Sequence, residues 1–179
     1  MKVDGVDWPN NYSNSYSYAS IPIIEALKPS LNTIPAQLVD QVGLQGVFDF
    51  ATKNMGLKLD DPDLDYSPLS IGSLTYGISL ENLVNAYIPY GNGGTYYNAH
   101  IVSRVEKGDG TVLYSNESLQ GTQAVDSDTA YIMNKMLQRV VNDGGTGTAA
   151  KLSNKVVAGK TGTSENWRDL SFIGLTEDF

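Results

Sequence analysis

Cysteine is absent from these 179 residues, which excludes a disulfide framework and any thiolate metal site. Histidine occurs once, at His100, too few for a zinc or iron site built on imidazoles. The same scarcity leaves no Ser-His-Asp triad unless His100 is its base, and an ordinary strand residue is the simpler reading. Positive charge is also short. Twelve Lys+Arg against 20 Asp+Glu give a net charge of −8, without the clustered basic face that nucleic acid or anionic lipid requires. No apolar run approaches the ~18 residues of a membrane span. The Asn/Ser/Tyr-rich start "MKVDGVDWPNNYSNSYSYAS" has no apolar signal core. The chain is therefore expected to be soluble as given, with no address of its own. What is present is 41% apolar residues, enough for a core, in a length suited to one domain or a large piece of one.

Local signals divide the chain into three. Residues 1–20 read as an irregular approach segment. Residues 21–150 read as mainly helical with a hairpin near 100–115, and residues 151–179 as two strands. In "SIPIIEALKPS", Ser20 is a candidate N-cap, Ile23, Ile24 and Leu27 share a face, and Pro29 stops the helix. Asn32 is expected to cap a helix through "TIPAQLVDQVG", ended by Gly43. "LQGVFDFATKNMG" puts Val47, Phe48, Ala51 and Met55 at helical spacing. "LKLDDPDLDYSPLSIGSLTYG", with two prolines and several Asp and Gly, reads as a long loop or set of turns. Ser79 is expected to cap a helix with an apolar stripe of Leu80, Leu83, Val84 and Tyr87. Alternation on both sides of Gly108-Asp109-Gly110 predicts a hairpin. The clearest helix is "DSDTAYIMNKMLQRVVNDGG", with Tyr131, Met133, Met136, Leu137 and Val140 in step and Asp126 or Ser127 as cap. "KVVAGKTGTS" and "DLSFIGLT" read as paired strands, too few to be self-sufficient, which implies missing sheet partners.

Two chemistries compete for "NKVVAGKTGTSENW", residues 154–167. A phosphate-binding loop needs G-x-x-x-x-G-K-[ST], but position 154 is Asn and Lys155 to Ala158 is strand material. The other glycine-rich stretch, "GGTGTA", follows a helix and reads as its C-terminal stop. An acyl-transfer wall fits better. In a strand over 156–164, Thr161 and Thr163 share one face and suit a carboxylate. Lys160 and Gly162 share the other, where the ammonium can polarise a hydroxyl and the glycine lets a backbone approach. Lys-Thr-Gly alone arises by chance in roughly a few per cent of chains this size, and a strand end turning at Gly162 is its plain reading. Solvated loop chemistry is the simpler reading of the sequons at Asn11 and Asn116 and of the Asp60, Asp61, Asp63 and Asp65 cluster.

Lys160-Thr161-Gly162 gains weight from Ser30-Leu31-Asn32, an S-x-N in the break between two predicted helices. Ser164-Glu165-Asn166 also fits S-x-N, but it abuts the lysine strand and cannot form a separate wall. "WPNNY" with "SIPIIEALKPSLN", the helix, Asn-Gly-Gly turn and hairpin from Gly77, "TAYIMNKMLQRVVNDGGTGTAA" and "AGKTGTSENWRDLSFIGLT" follow in order over almost the whole chain. Together they resemble the transpeptidase domain of bacterial class A penicillin-binding proteins, in the β-lactamase-like superfamily. The resemblance implies an α+β fold, here mostly its helical part plus the third-motif hairpin of an incomplete antiparallel sheet. It also implies D,D-transpeptidation of peptidoglycan stem peptides ending in D-Ala-D-Ala, reaction with β-lactams, no cofactor, no metal and no nucleic-acid partner. By that resemblance Ser30 relays a proton, Asn32 binds the substrate amide or positions the first-motif lysine, and Lys160 polarises Ser30. Thr161 and Thr163 hold the terminal carboxylate, the Thr163 N–H contributes to an oxyanion hole, and Gly162 leaves room for the substrate. Trp167 and Arg168 either border the cleft or form a plain surface turn.

No serine in the chain has a lysine three positions on, so the family's S-x-x-K nucleophile motif is absent. The chain is expected to be an internal piece of such a domain, inactive by itself. Its parent would sit on the extracytoplasmic face of the cell membrane and touch lipid only through an N-terminal anchor outside this sequence. The alternatives are a non-catalytic penicillin-binding-like module for a peptide or protein partner, and the P-loop nucleotide-binding protein.

Overall fold

The computed structural model describes residues 2–3, 5–116, 120–164 and 167–178. The helices among them are α1 (Ile23–Leu27), α2 (Thr33–Val42), α3 (Leu44–Asp49), α4 (Tyr66–Ile71), α5 (Leu80–Tyr87) and α6 (Ser127–Asn142). The strands are β1 (Lys2–Val3), β2 (Val6–Asp7), β3 (Thr95–Tyr96), β4 (Arg104–Glu106), β5 (Val112–Ser115), β6 (Thr122–Gln123), β7 (Ala158–Thr163) and β8 (Leu170–Leu175). They pair only in twos, all antiparallel: β1 with β2, β3 with β6, β4 with β5, and β7 with β8. This is the mixed α+β architecture expected from the sequence.

Helix α6 organises the fold. Ala130, Leu137, Val140 and Val141 make its buried stripe, with Leu137, Val140 and Val141 wholly out of solvent. That face packs on β7, whose first residue Ala158 is buried together with Val157 before it, and on α1, which contributes buried Ala26. Asn142 fastens the helix end to the strand by donating from Nδ2 to the Val157 carbonyl at 2.8 Å. Strand β7 then runs in register with β8, Ala158 opposite Leu175 through Thr163 opposite Leu170. A second small core gathers Met55, Ala86 and Ala124 with Leu57, Tyr90, Tyr96 and Val125 around them.

Several local expectations need correction. The N-cap of α1 is Pro22, not Ser20. Residues 50–54 continue α3 as a π-helical turn rather than regular α-helix. The segment read as a long loop or set of turns does hold a 3-10 turn at Asp61–Asp63, but it also contains helix α4. Pro68 is tolerated because it lies in the first turn of α4, where its missing N–H has no helical partner to lose. Asp65 caps that helix by accepting from the Tyr66 N–H at 2.6 Å, and Gly72 ends it at φ 78°. The Tyr66 hydroxyl donates to Asp40 at 2.8 Å and docks α4 on α2.

In α5, Ser79 caps as expected by accepting from Asn82, but the buried face is not the Leu/Val stripe. Leu80 and Val84 are exposed, while Asn82 and Asn85 are buried. The Asn82 amide accepts from the Lys58 N–H at 2.8 Å and donates to the Gly56 carbonyl at 2.7 Å, so it stitches α5 to the preceding turn. Tyr131 of α6 likewise faces solvent. Asp63 is not a solvated loop residue. It is buried at 1% exposure and accepts from the Thr75 N–H and hydroxyl, both at 2.8 Å, and from the Asp60 N–H at 3.1 Å. His100 lies in a loop, not a strand, with Nδ1 against the Asn116 amide at 3.1 Å. The opening 20 residues include the β1–β2 ribbon and a cis Trp8–Pro9 peptide.

Candidate active site

Two walls meet across most of the chain's length. One is the Ser30–Asn32 link between α1 and α2, the other is β7. Helix α1 ends in a Schellman arrangement: the Leu31 N–H donates to the Ala26 carbonyl at 3.0 Å and the Ser30 N–H to Leu27 at 3.1 Å. That motif needs a left-handed residue at its C′ position, normally glycine, and here it is Ser30 at φ 59°. A non-glycine residue in that region carries about 1–2 kcal/mol of strain. Strain of this kind is retained where a side chain has to be aimed. The Ser30 hydroxyl is aimed at β7, where Lys160 Nζ donates to Ser30 Oγ at 2.7 Å and to the Thr161 carbonyl at 2.9 Å. Burial lowers the Lys160 ammonium below the ordinary lysine value, so it parts with a proton more readily than a surface lysine.

The two walls and α4 enclose a cleft of about 430 Å³. Ser30, Asn32, Lys160, Thr161, Gly162 and Thr163 all line it, so every candidate site residue from the sequence reaches one place. Asn32 stands at the N-cap position of α2, but its side chain makes no capping bond. Its Nδ2 donates to the Asn10 carbonyl at 2.8 Å instead, leaving the Asn32 carbonyl oxygen as the acceptor for the cleft. Trp167 and Arg168 are exposed in the turn after β7 and stay out of the lining. The second S-x-N, Ser164-Glu165-Asn166, falls partly outside the described residues.

Four contributors were not found by motif reading. Ser70 and Ile71 of α4 line the cleft from the segment taken for a loop. Tyr87 lines it as well. Burial, with Tyr90 packed edge-on at 6.0 Å, pushes the Tyr87 phenol up to about 12 and keeps it neutral. Thr146, in the glycine-rich stop of α6, hydrogen-bonds Thr161, hydroxyl to hydroxyl, at 2.7 Å. Its loop is pressed against α1. The Thr146 N–H donates to the Lys28 carbonyl at 3.2 Å. Gly145 has no room for a Cβ, which would sit 2.8 Å from the same carbonyl and collide with that of Val140. Glu25 and Lys28 of the α1 segment also pair with Arg139 and Asp143 at the end of α6. Single exposed pairs of this sort contribute little, but four charges in one network hold the serine wall against the helix that carries β7. The signal for Thr146 was in the sequence, in "GGTGTA", though only its role as a helix stop could be read there.

Residues 11–177 match the penicillin binding protein transpeptidase domain family. The chain belongs to that family. Among its relatives are penicillin-binding protein 4 of Bacillus subtilis, 32% identical over 96% of this chain, and penicillin-binding protein 1A of Clostridium botulinum, 35% identical over 94%. The chain spans 27% and 20% of those two proteins. The D,D-transpeptidase domain of a peptidoglycan glycosyltransferase from Eggerthella lenta has a TM-score of 0.74 at 25% identity, covering 93% of this chain and 48% of that one. Penicillin-binding protein A of M. tuberculosis, solved as an imipenem acyl-enzyme complex, gives a TM-score of 0.79 over 99% of this chain and 44% of that one. At 17% identity, that last likeness shows the shared transpeptidase fold alone. Class A members recur among the relatives, and no described helix of this chain is long and apolar enough to cross a membrane.

Proposed function

We propose that this chain forms two walls of a peptidoglycan D,D-transpeptidase cleft whose nucleophilic serine is supplied by residues outside the 179. The observation that carries the reading is the 2.7 Å contact from Lys160 Nζ to Ser30 Oγ, joining two motifs 130 positions apart. An acyl-transfer cycle needs a proton delivered to the departing amine and an anchor for the substrate's terminal carboxylate. Ser30 accepts from Lys160 and so keeps its own O–H to donate into the cleft, toward the nitrogen of the leaving D-Ala. The lowered affinity of Lys160 for its proton lets it resupply Ser30. Asn32 offers a carbonyl oxygen to the substrate amide or to an incoming lysine. Thr161 and Thr163 face the carboxylate of the D-Ala-D-Ala terminus, or that of a β-lactam in its place. The Thr163 N–H contributes to the hole for the developing oxyanion. Such an enzyme acts on the cell wall, outside the cytoplasmic membrane.

The test is labelling with a fluorescent penicillin, read by denaturing gel and mass spectrometry. The isolated 179-residue chain takes no stoichiometric adduct. The intact protein is acylated once, on a serine outside this sequence. A covalent adduct on a serine within the chain overturns the reading, and an intact protein that is never acylated favours a non-catalytic peptide-binding module.

A further inference from the structure

Asn11, in the "WPNNY" approach segment, is only 5% exposed, and its side chain bonds three backbone groups and one hydroxyl. Its Oδ1 accepts from the Asn32 N–H at 3.0 Å and the Thr33 N–H at 3.3 Å, with the Thr33 hydroxyl at 3.4 Å. Its Nδ2 donates to the Ser15 carbonyl at 2.8 Å, which fixes which end of the amide faces α2. The first N–H groups of a helix have no partner inside the helix and need an acceptor from elsewhere. Asparagine is among the best residues to provide one, and the one at the N-cap of α2 is Asn32. Yet Asn32 adopts helical angles, φ −78° and ψ −30°, and makes no cap bond. Asn11 takes the N–H groups of Asn32 and Thr33 from 21 and 22 positions away.

We infer that Asn11 is a positioning residue of the transpeptidase cleft: by accepting from the backbone N–H groups of Asn32 and Thr33 it fixes the link between α1 and α2, and so holds Ser30 on Lys160. This rests on the acyl-transfer reading above. With the Asn11 acceptor gone, the N–H groups of Asn32 and Thr33 lose their partner, and the Asn32 side chain cannot replace it: an N-cap oxygen reaches the second or third helical N–H, and the third residue of α2 is Pro35. The start of α2 must then shift to find another acceptor. Only Leu31 separates Asn32 from Ser30, so that shift passes directly into the strained left-handed serine and its contact with Lys160. The tie from Asn32 Nδ2 to the Asn10 carbonyl comes from the same segment, so the two adjacent asparagines hold both ends of one residue.

The experiment uses the intact protein with a fluorescent penicillin, resolving non-covalent Kd from the acylation rate constant, with Tm measured alongside. Asn11→Ala lowers the acylation rate about tenfold, the equivalent of one backbone N–H left unpaired, and leaves Kd within about twofold, because the threonines of β7 are untouched. Asn11→Asp keeps the acceptor, turns a second oxygen toward the Ser15 carbonyl at a cost in Tm, and restores the rate. Should the alanine variant not fold, Asn11→Ser, whose shorter hydroxyl cannot bridge both amides, replaces it with the same expected loss. The inference is overturned if the alanine or serine variant loses Tm but acylates at the wild-type rate well below its Tm. It is equally overturned if Asn11→Asp is as slow as Asn11→Ala. A wild-type protein that is not acylated at all sinks the acyl-transfer reading itself and the inference with it.

Discussion

Replacing Ser30 by glycine and by alanine separates the two things this residue does. Both substitutions remove the hydroxyl and therefore the 2.7 Å bond from Lys160. A hydrogen bond to a charged donor contributes about 1.5–3 kcal/mol, and half-exposure of the pair argues for the lower end. The substitutions differ in the backbone. At φ 59° an L-residue with a Cβ pays about 1–2 kcal/mol that glycine does not. Glycine gives back about 0.4–1 kcal/mol through the greater freedom of its unfolded chain. The difference leaves Ser30→Gly more stable than Ser30→Ala by about 0.5–1 kcal/mol, or roughly 2–4 °C in Tm per kcal/mol for a domain of this size. Both variants lose most of their reaction with penicillin. The assay is paired thermal unfolding of the intact protein and its two variants, followed by acylation kinetics. An alanine variant as stable as the glycine variant, or more so, refutes the claim that Ser30 is held in strain. Acylation at the wild-type rate in either variant refutes its place in the reaction.

Two further outcomes follow from single contacts. Thr146→Val removes the hydroxyl that orients Thr161, so non-covalent Kd for a carboxylate-bearing β-lactam rises about fivefold, as for one neutral hydrogen bond, and Thr146→Ser restores it; titration of the intact protein measures this. Burial alone would raise the Asp63 carboxyl, but bonds from the Thr75 N–H and hydroxyl and the Asp60 N–H outweigh it and hold the carboxyl below its ordinary value. A folded value below the unfolded ~3.9 means that the stabilisation is complete above about pH 4 and is lost as pH falls through the lowered value. Asp63→Asn removes this acid-limb dependence and costs about 1–3 kcal/mol at neutral pH, because the Asp60 N–H is left facing the new NH2 group, read from urea unfolding at pH 7 and pH 3.

The elements readable from sequence were those whose signals are local. Helix α6 showed itself by period, α2 by its Asn32 and Gly43 boundaries, the β4–β5 hairpin by alternation around two glycines, and β7 by its Lys-Thr-Gly. Helix α4 was hidden because two prolines and four aspartates within ten residues read as a loop. Pro68 turned out to fall in the one turn that accepts it, and Asp65 at a cap. The apolar stripe on α5 misled because burial is decided by what an element packs against. Here the neighbouring turn offers backbone groups, so asparagines went inward and Leu80 went out.

The residue types of the site, and the family they belong to, were fixed by order along the chain: Ser30-x-Asn32 first, Lys160-Thr161-Gly162-Thr163 last, each needing only its own few neighbours. Which atoms meet was decided in three dimensions. The contact of Ser30 with Lys160, the burial that loosens the proton on Lys160, the hydroxyl of Thr146 behind Thr161 and the hold of Asn11 on the first amides of α2 all join groups distant in sequence. No local pattern encodes such contacts, because their energy exists only once α1, α6 and β7 have closed on one another.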